Sequence, residues 1–167
     1  MNSKKNLKDI KPLAFALLLL IFIVSIVFLT QIRRKSASSS ENSLQILTAD
    51  KIVELSVELA QTPEEWRDGL MYRTEICENC GMLFIFPDET ARSFWMKNTL
   101  ISLDVLFITS DGKIANIAAE TAPNQTDTTY KSTEKVKYVL EVNGGWCKQN
   151  AVEAGDSVDF SDVLSDN

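Results

Sequence analysis

The sequence predicts an α+β, mainly β domain, a curled antiparallel or mixed sheet or barrel-like fold with one or two short helices, preceded by a single transmembrane helix. Three observations carry this. One long apolar run lies near the N-terminus, one segment alternates apolar and polar residues without error, and beyond residue 80 short apolar segments recur between turn residues. Six or seven short strands beside one clear helix predict a sheet-dominated layer structure.

The first element is the apolar run. Leu13 to Leu29 is broken only by Ser25, and Thr30-Gln31-Ile32 extends it to 20 residues. A helix rising about 1.5 Å per residue covers about 30 Å with that length, the hydrocarbon thickness of a bilayer. Pro12 fits a helix start, where its missing N–H costs nothing. Residues 1–11 form a basic tail with Lys4, Lys5, Lys8 and Lys11, and Arg33, Arg34 and Lys35 follow the span. The larger N-terminal cluster places that end inside and the remainder outside the cytoplasm. The expected organisation is a tail over 1–11, a membrane helix over 12–32, a flexible Ser-rich stalk over 33–43 and a globular domain over 44–167. An uncleaved signal anchor fits the length of the apolar run better than a cleaved leader.

Within the domain, Val53–Leu59 alternates apolar and polar residues, a half-buried strand. Thr62-Pro63-Glu64-Glu65 then reads as a capping box with proline at the first helical position, opening a helix over about 62–72. Met82–Phe86 is a short strand that Pro87 ends, and Phe94-Trp95-Met96 is a further candidate. Leu103–Thr109 is a buried strand, joined by an Asp111-Gly112 hairpin turn to Lys113–Ala119. Residues 120–134 form a loop, Val136–Val142 another strand, 146–151 a short helix or turn, and Ser157–Phe160 the last strand.

Charge and composition narrow the function. Residues 41–167 hold 10 basic and 22 acidic residues, a formal charge of −12. Such a body repels a phosphate backbone, so nucleic acid is not expected as a partner. The chain has no histidine, which removes Ser–His and Cys–His nucleophile pairs within it. No cofactor or metal is expected.

Asp104 stands in a strand of apolar neighbours and shares a face with Leu106 and Ile108. A carboxylate there needs a partner. Lys97, Asn98 and Arg73 are the candidates, and the residue is either a structural anchor or part of a polar pocket. Cys77-Glu78-Asn79-Cys80 is a single C-x-x-C, with Cys147 far along the chain. The three cysteines admit a disulfide between two of them, free thiols, a metal site or redox chemistry. Trp66, Trp95 and Trp146 with Met71, Met82 and Met96 either fill a small core or line an apolar groove.

The blocks Arg67-Asp68-Gly69-Leu70-Met71-Tyr72-Arg73, Gly81–Phe86, Phe94-Trp95-Met96-Lys97-Asn98-Thr99 and Leu103–Ile108 closely resemble, in order and spacing, the family called domain of unknown function 192 (DUF 192). Tyr138-Val139-Leu140-Glu141, Gly144-Gly145 and Gly155-Asp156 look like its C-terminal signature. The resemblance covers about residues 53–160 and implies a compact β-rich fold, often exported or membrane-attached, with no activity attached to it. Cys77 and Cys80 depart from the pattern, so cysteine chemistry would belong to this branch.

The expected function is a non-catalytic ligand-binding or interaction module outside the cytoplasm, its ligand an envelope glycan, a small molecule or a protein. Arg73, Trp95, Lys97, Asn98, Thr99, Asp104 and Glu141 are the candidate ligand-binding residues, because they join an aromatic face to hydrogen-bonding groups. One alternative is an enzyme working on a polysaccharide with Asp104 and Glu141 as a carboxylate pair. Another is thiol redox work by Cys77 and Cys80.

Overall fold

The computed structural model of the protein describes residues 42–164. The basic tail, the expected membrane helix and most of the stalk lie outside the described residues. Among the described residues no helix is long and apolar enough to cross a membrane.

Among the described residues, nine strands and three short helices follow in order: β1 (Ser43–Leu47), β2 (Ile52–Ala60), α1 (Pro63–Asp68), β3 (Cys80–Thr90), β4 (Ser93–Phe94), β5 (Leu103–Ile108), β6 (Ile114–Ala118), β7 (Tyr130–Lys131), β8 (Val136–Asn143), α2 (Trp146–Asn150), β9 (Ser157–Asp159) and α3 (Ser161–Leu164). Seven strands form one sheet in the order β6-β5-β8-β3-β2-β1-β9, and β4 pairs with β7 apart from it. The sheet is mixed, because β2 and β3 run parallel and the other neighbours antiparallel. A parallel pair needs a crossover, and residues 61–79, with α1, supply it. The sheet curls as a half-barrel, and its two edge strands approach at one end through a Lys113–Ser157 bridge.

Strand alternation gives the sheet two apolar faces. The concave face carries Leu44, Ile46, Leu55, Leu83, Leu106, Leu140 and Val142, closed by Trp146, Val158 and Phe160. The convex face carries Met82, Phe84, Val105, Phe107 and Val139, covered by Leu70 and Met96 from the crossover and from the β4–β5 loop. Burial on both faces explains why β5 is apolar along its length.

Several boundaries differ from expectation. Helix α1 stops at Asp68 rather than 72, because Gly69 turns the backbone to φ +46°. Thr62 and Glu65 form the expected capping box. Strand β3 does not end at Pro87 but runs to Thr90, with the register broken between Ile85 and Thr90. A bulge tolerates a residue that cannot donate to the ladder. Only Phe94 of the Phe94-Trp95-Met96 segment is in a strand. Strand β1 and helix α3 were not expected, since Ser43–Leu47 follows the Ser-rich stretch closely and Ser161–Leu164 is a single turn.

Candidate functional site

The sheet decides where each carboxylate points. Asp104 stands opposite Val142, whereas Glu141 stands opposite Val105. Period-two alternation therefore puts Asp104 on the concave face and Glu141 on the convex one. The two carboxyl groups cannot flank one bond, so the glycosidase-like pair of the alternative reading is not formed.

Asp104 is fully buried and acts as a backbone anchor. One oxygen accepts from the N–H groups of Glu120 at 2.7 Å and Gly145 at 2.9 Å, and the other from Cys147 N–H at 2.9 Å. None of the partners expected for it, Lys97, Asn98 or Arg73, serves. It holds the Glu120 turn to the start of α2. The Cys147 thiol beside it is buried, and burial together with the Asp104 carboxylate raises its pKa. Cys147 is thus outside the disulfide, which joins Cys77 to Cys80.

Glu141 is the unusual group. It is 5% exposed, and its side chain has no hydrogen-bond or ion-pair partner among the described residues. Desolvation pushes its pKa up to about 8, because burial penalises the charged form. Its carboxyl faces a crevice of about 20 Å³ lined by Trp66, Arg67, Gly69, Met71, Phe94 and Trp95, with Phe84 and Thr99 alongside. That is room for about one water-sized group. The crevice shares Arg67, Asp68, Gly69, Met71 and Trp95 with an open groove of about 510 Å³, whose other walls are Tyr72, Lys97 and Asn98.

Two loops build the groove, and both hold strained backbone. Tyr72 at φ +62° and Asn98 at φ +56° occupy the left-handed region, which costs a bulky side chain of order 1–3 kcal/mol. Mutual hydrogen bonds keep them there. Tyr72 N–H donates to the Asn98 carbonyl at 2.8 Å, and Asn98 Nδ2 donates to the Tyr72 hydroxyl at 2.7 Å. Trp95 is 44% exposed, with Lys97 Nζ 5.1 Å from its ring centre. Gly69 forms part of the roof. A Cβ there would lie 3.1 Å from Phe84 Cζ and 3.7 Å from Glu141 Oε2, so the missing side chain lets the backbone pack close over the ring and the carboxyl.

Of the expected ligand-binding residues, Trp95, Lys97, Asn98, Thr99 and Glu141 meet at this groove and crevice. Arg73 does not. It forms a two-pronged pair with Glu58 at 2.6 Å, beside a separate hollow with Cys77 and Cys80. Trp66 and Met71 line the groove system, while Trp146, Met82 and Met96 are buried in the two cores. Arg67, Asp68, Gly69 and Tyr72 were not singled out as site residues, although they stand in the first block of the family resemblance. The general signal that could have found them is the Asp-Gly step inside a helical pattern, which stops the helix beneath a loop. Among the described residues no three carboxylate or thiol groups are placed to hold a metal ion.

Comparison with known proteins fits this architecture. The model of the DUF192 family, described as an uncharacterized ACR, matches residues 45–160. A crystal structure from Sinorhizobium meliloti 1021, described as a candidate transcription regulator, is 40% identical, with a TM-score of 0.68 over 70% of this chain and 91% of that one. A protein of unknown function from Novosphingobium aromaticivorans DSM 12444 is 33% identical, with a TM-score of 0.68 over 70% of this chain and 83% of that one. No curated protein matches the chain.

Proposed function

The chain belongs to the DUF192 family, and from that premise we propose that it is a membrane-anchored, extracytoplasmic binding module whose groove takes a polar ligand of the cell envelope. The observation that carries this is Glu141, a buried carboxyl with no partner of its own beneath an open groove. The residue is all but removed from solvent, and a ligand that hydrogen-bonds to its carboxyl replaces the water it has lost. The exposed rings of Trp95 and Tyr72 border the groove, and Lys97 offers a donor, a combination suited to sugars and other polar molecules. The anchor rests on the apolar run over residues 13–32 and the basic clusters flanking it.

The description of the Sinorhizobium protein as a candidate regulator is not carried over, because a body of charge −12 repels DNA. The test is retention of envelope glycan fragments by the full chain in detergent, read by native mass spectrometry. Trp95→Ala is expected to abolish retention. Equal retention by wild type and Trp95→Ala would take the groove out of this reading.

A second reading is an enzyme with Glu141 alone as acid–base, since a carboxyl near pKa 8 is tuned for proton transfer at neutral pH. Cleavage of the same fragments by wild type and not by Glu141→Gln would decide for it. Thiol redox work by Cys77 and Cys80 draws no support, because Cys80 opens a strand instead of the helix start that stabilises a thiolate.

A further inference from the structure

We propose that the crevice at the foot of the groove is a seat for a primary ammonium group carried on an unbranched stem, as on a lysine side chain, with the Glu141 carboxylate as its counter-ion. This rests on the groove being a ligand site, and it specifies the group that enters.

Three features select that chemistry. The first is the wall. Trp66, Phe84, Phe94 and Trp95 all border the crevice, with Met71 beside them. Aromatic faces attract a cation and repel an anion. The ring of Phe94 meets Phe84 edge-on at 5.0 Å, which fixes the wall in one arrangement.

The second is the charge. Asp68 also borders the crevice, but its carboxylate is held by Arg67 at 2.8 and 3.2 Å. Glu141 has no such cation. Across the sheet its neighbours are Met82 on β3 and Val105 on β5, neither of which can supply charge. Lys97, on the groove wall, lies over Trp95. The charged groups near Glu141 are therefore Arg67 and Asp68 from α1, already paired, and Lys97 from the loop. Of these, only Lys97 is an unpaired cation, and it lies out on the groove wall over Trp95.

The third is size. A crevice of about 20 Å³ holds a group about as large as one water, which admits a bare ammonium and excludes a trimethylated one. Gly69 lies close over the carboxyl, where even one added carbon would meet Phe84 Cζ at 3.1 Å and Glu141 Oε2 at 3.7 Å. So little room suits a slim stem better than an amino sugar, whose nitrogen sits on a ring carbon between bulky neighbours. The wider groove outside, of about 510 Å³, receives the rest of the ligand.

A proton must leave when the cation arrives. With its pKa pushed up to about 8, Glu141 is largely protonated at neutral pH in the empty site. Binding of a cation favours the carboxylate and releases that proton. Affinity should therefore rise roughly tenfold per pH unit up to about 8, level off, and fall when an alkylamine loses its own proton near 10.4.

The experiment titrates the full chain in detergent with n-butylammonium, n-butanol and glucosamine, followed by tryptophan fluorescence and calorimetry between pH 6 and 9. Butylammonium is expected to bind at least tenfold more tightly than butanol, with proton uptake by the buffer at pH 7. Glu141→Gln should lose that preference. The pH profile of wild-type binding stands as a test even if the variant fails to fold. Equal binding of butanol and butylammonium, or pH-independent butylammonium binding, overturns the ammonium seat and leaves the groove reading intact. Tighter binding of glucosamine than of butylammonium overturns the unbranched stem. No butylammonium binding at pH 8.5 overturns the seat, whereas the groove reading falls only with the glycan-retention experiment.

Discussion

At the scale of single residues, two buried carboxyl groups on one sheet play opposite parts. Asp104 is satisfied by three backbone N–H groups, and its removal would leave all three without that partner, the Cys147 N–H in the buried interior. Asp104→Ala should cost about 3–5 kcal/mol in chemical denaturation. In the native wild type, Cys147 should resist thiol reagents, because burial and Asp104 both disfavour its thiolate. Glu141 is the reverse case. Its folded pKa of about 8 lies above the ordinary value of 4.5, so between those pH values the folded state holds more protons than the unfolded one. This contribution to stability is complete below pH 4.5 and is lost as pH rises through 8. Its slope is at most about 1.4 kcal/mol per pH unit. Thermal melts from pH 5 to pH 8 should show wild type losing stability that Glu141→Gln keeps. Parallel profiles for the two proteins would mean that Glu141 is solvated.

At the scale of elements, the crossover between β2 and β3 shapes the groove. Helix α1 is only six residues long, and its cap is a large share of what holds it. Thr62→Ala should cost about 1 kcal/mol, and fluorescence of the adjoining Trp66 should report the loss. The Cys77–Cys80 bridge closes a very short loop, so replacing both cysteines by serine should cost roughly 2 kcal/mol or less. Denaturation with and without reductant measures it directly. These elements also show how much was legible in the sequence. The capping box, the Asp111-Gly112 hairpin and the alternating segments stand in the structure because each depends on residues a few positions apart. The helix end at Gly69, the bulge at Pro87 and the strand β1 depend on which neighbours pack against them, and local pattern does not carry that. The site was legible in the same proportion. Trp95, Lys97, Asn98 and Thr99 are adjacent in sequence and were found together. Asp104 and Glu141 were joined wrongly, because their opposite faces follow from a register that only strand pairing fixes.

At the scale of the whole molecule, one face of the sheet is spent on the interior and the other is roofed by loops that leave a single carboxyl reachable. The proposed anchor would tether that groove to a bilayer. The full chain should sediment with membranes and need detergent for release, while a variant lacking residues 1–32 should stay in the supernatant. Protease added to intact cells should degrade the domain if it faces outward, and protection until lysis would reverse the assigned orientation.

The joining of the sheet's two edges has a consequence for how the protein is made. Gly112 carries no side chain where Val158 O approaches, since a Cβ would come within 2.6 Å of that oxygen. The Val158 N–H in turn donates to the Gly112 carbonyl at 2.7 Å. Strand β9 also lies against β1, at the other end of the domain sequence. Until β9 docks, β1 and β6 are therefore both open edges of the sheet. Whatever machinery delivers this chain must shield two unpaired strand edges, which invite pairing with other chains, until β9 is in place.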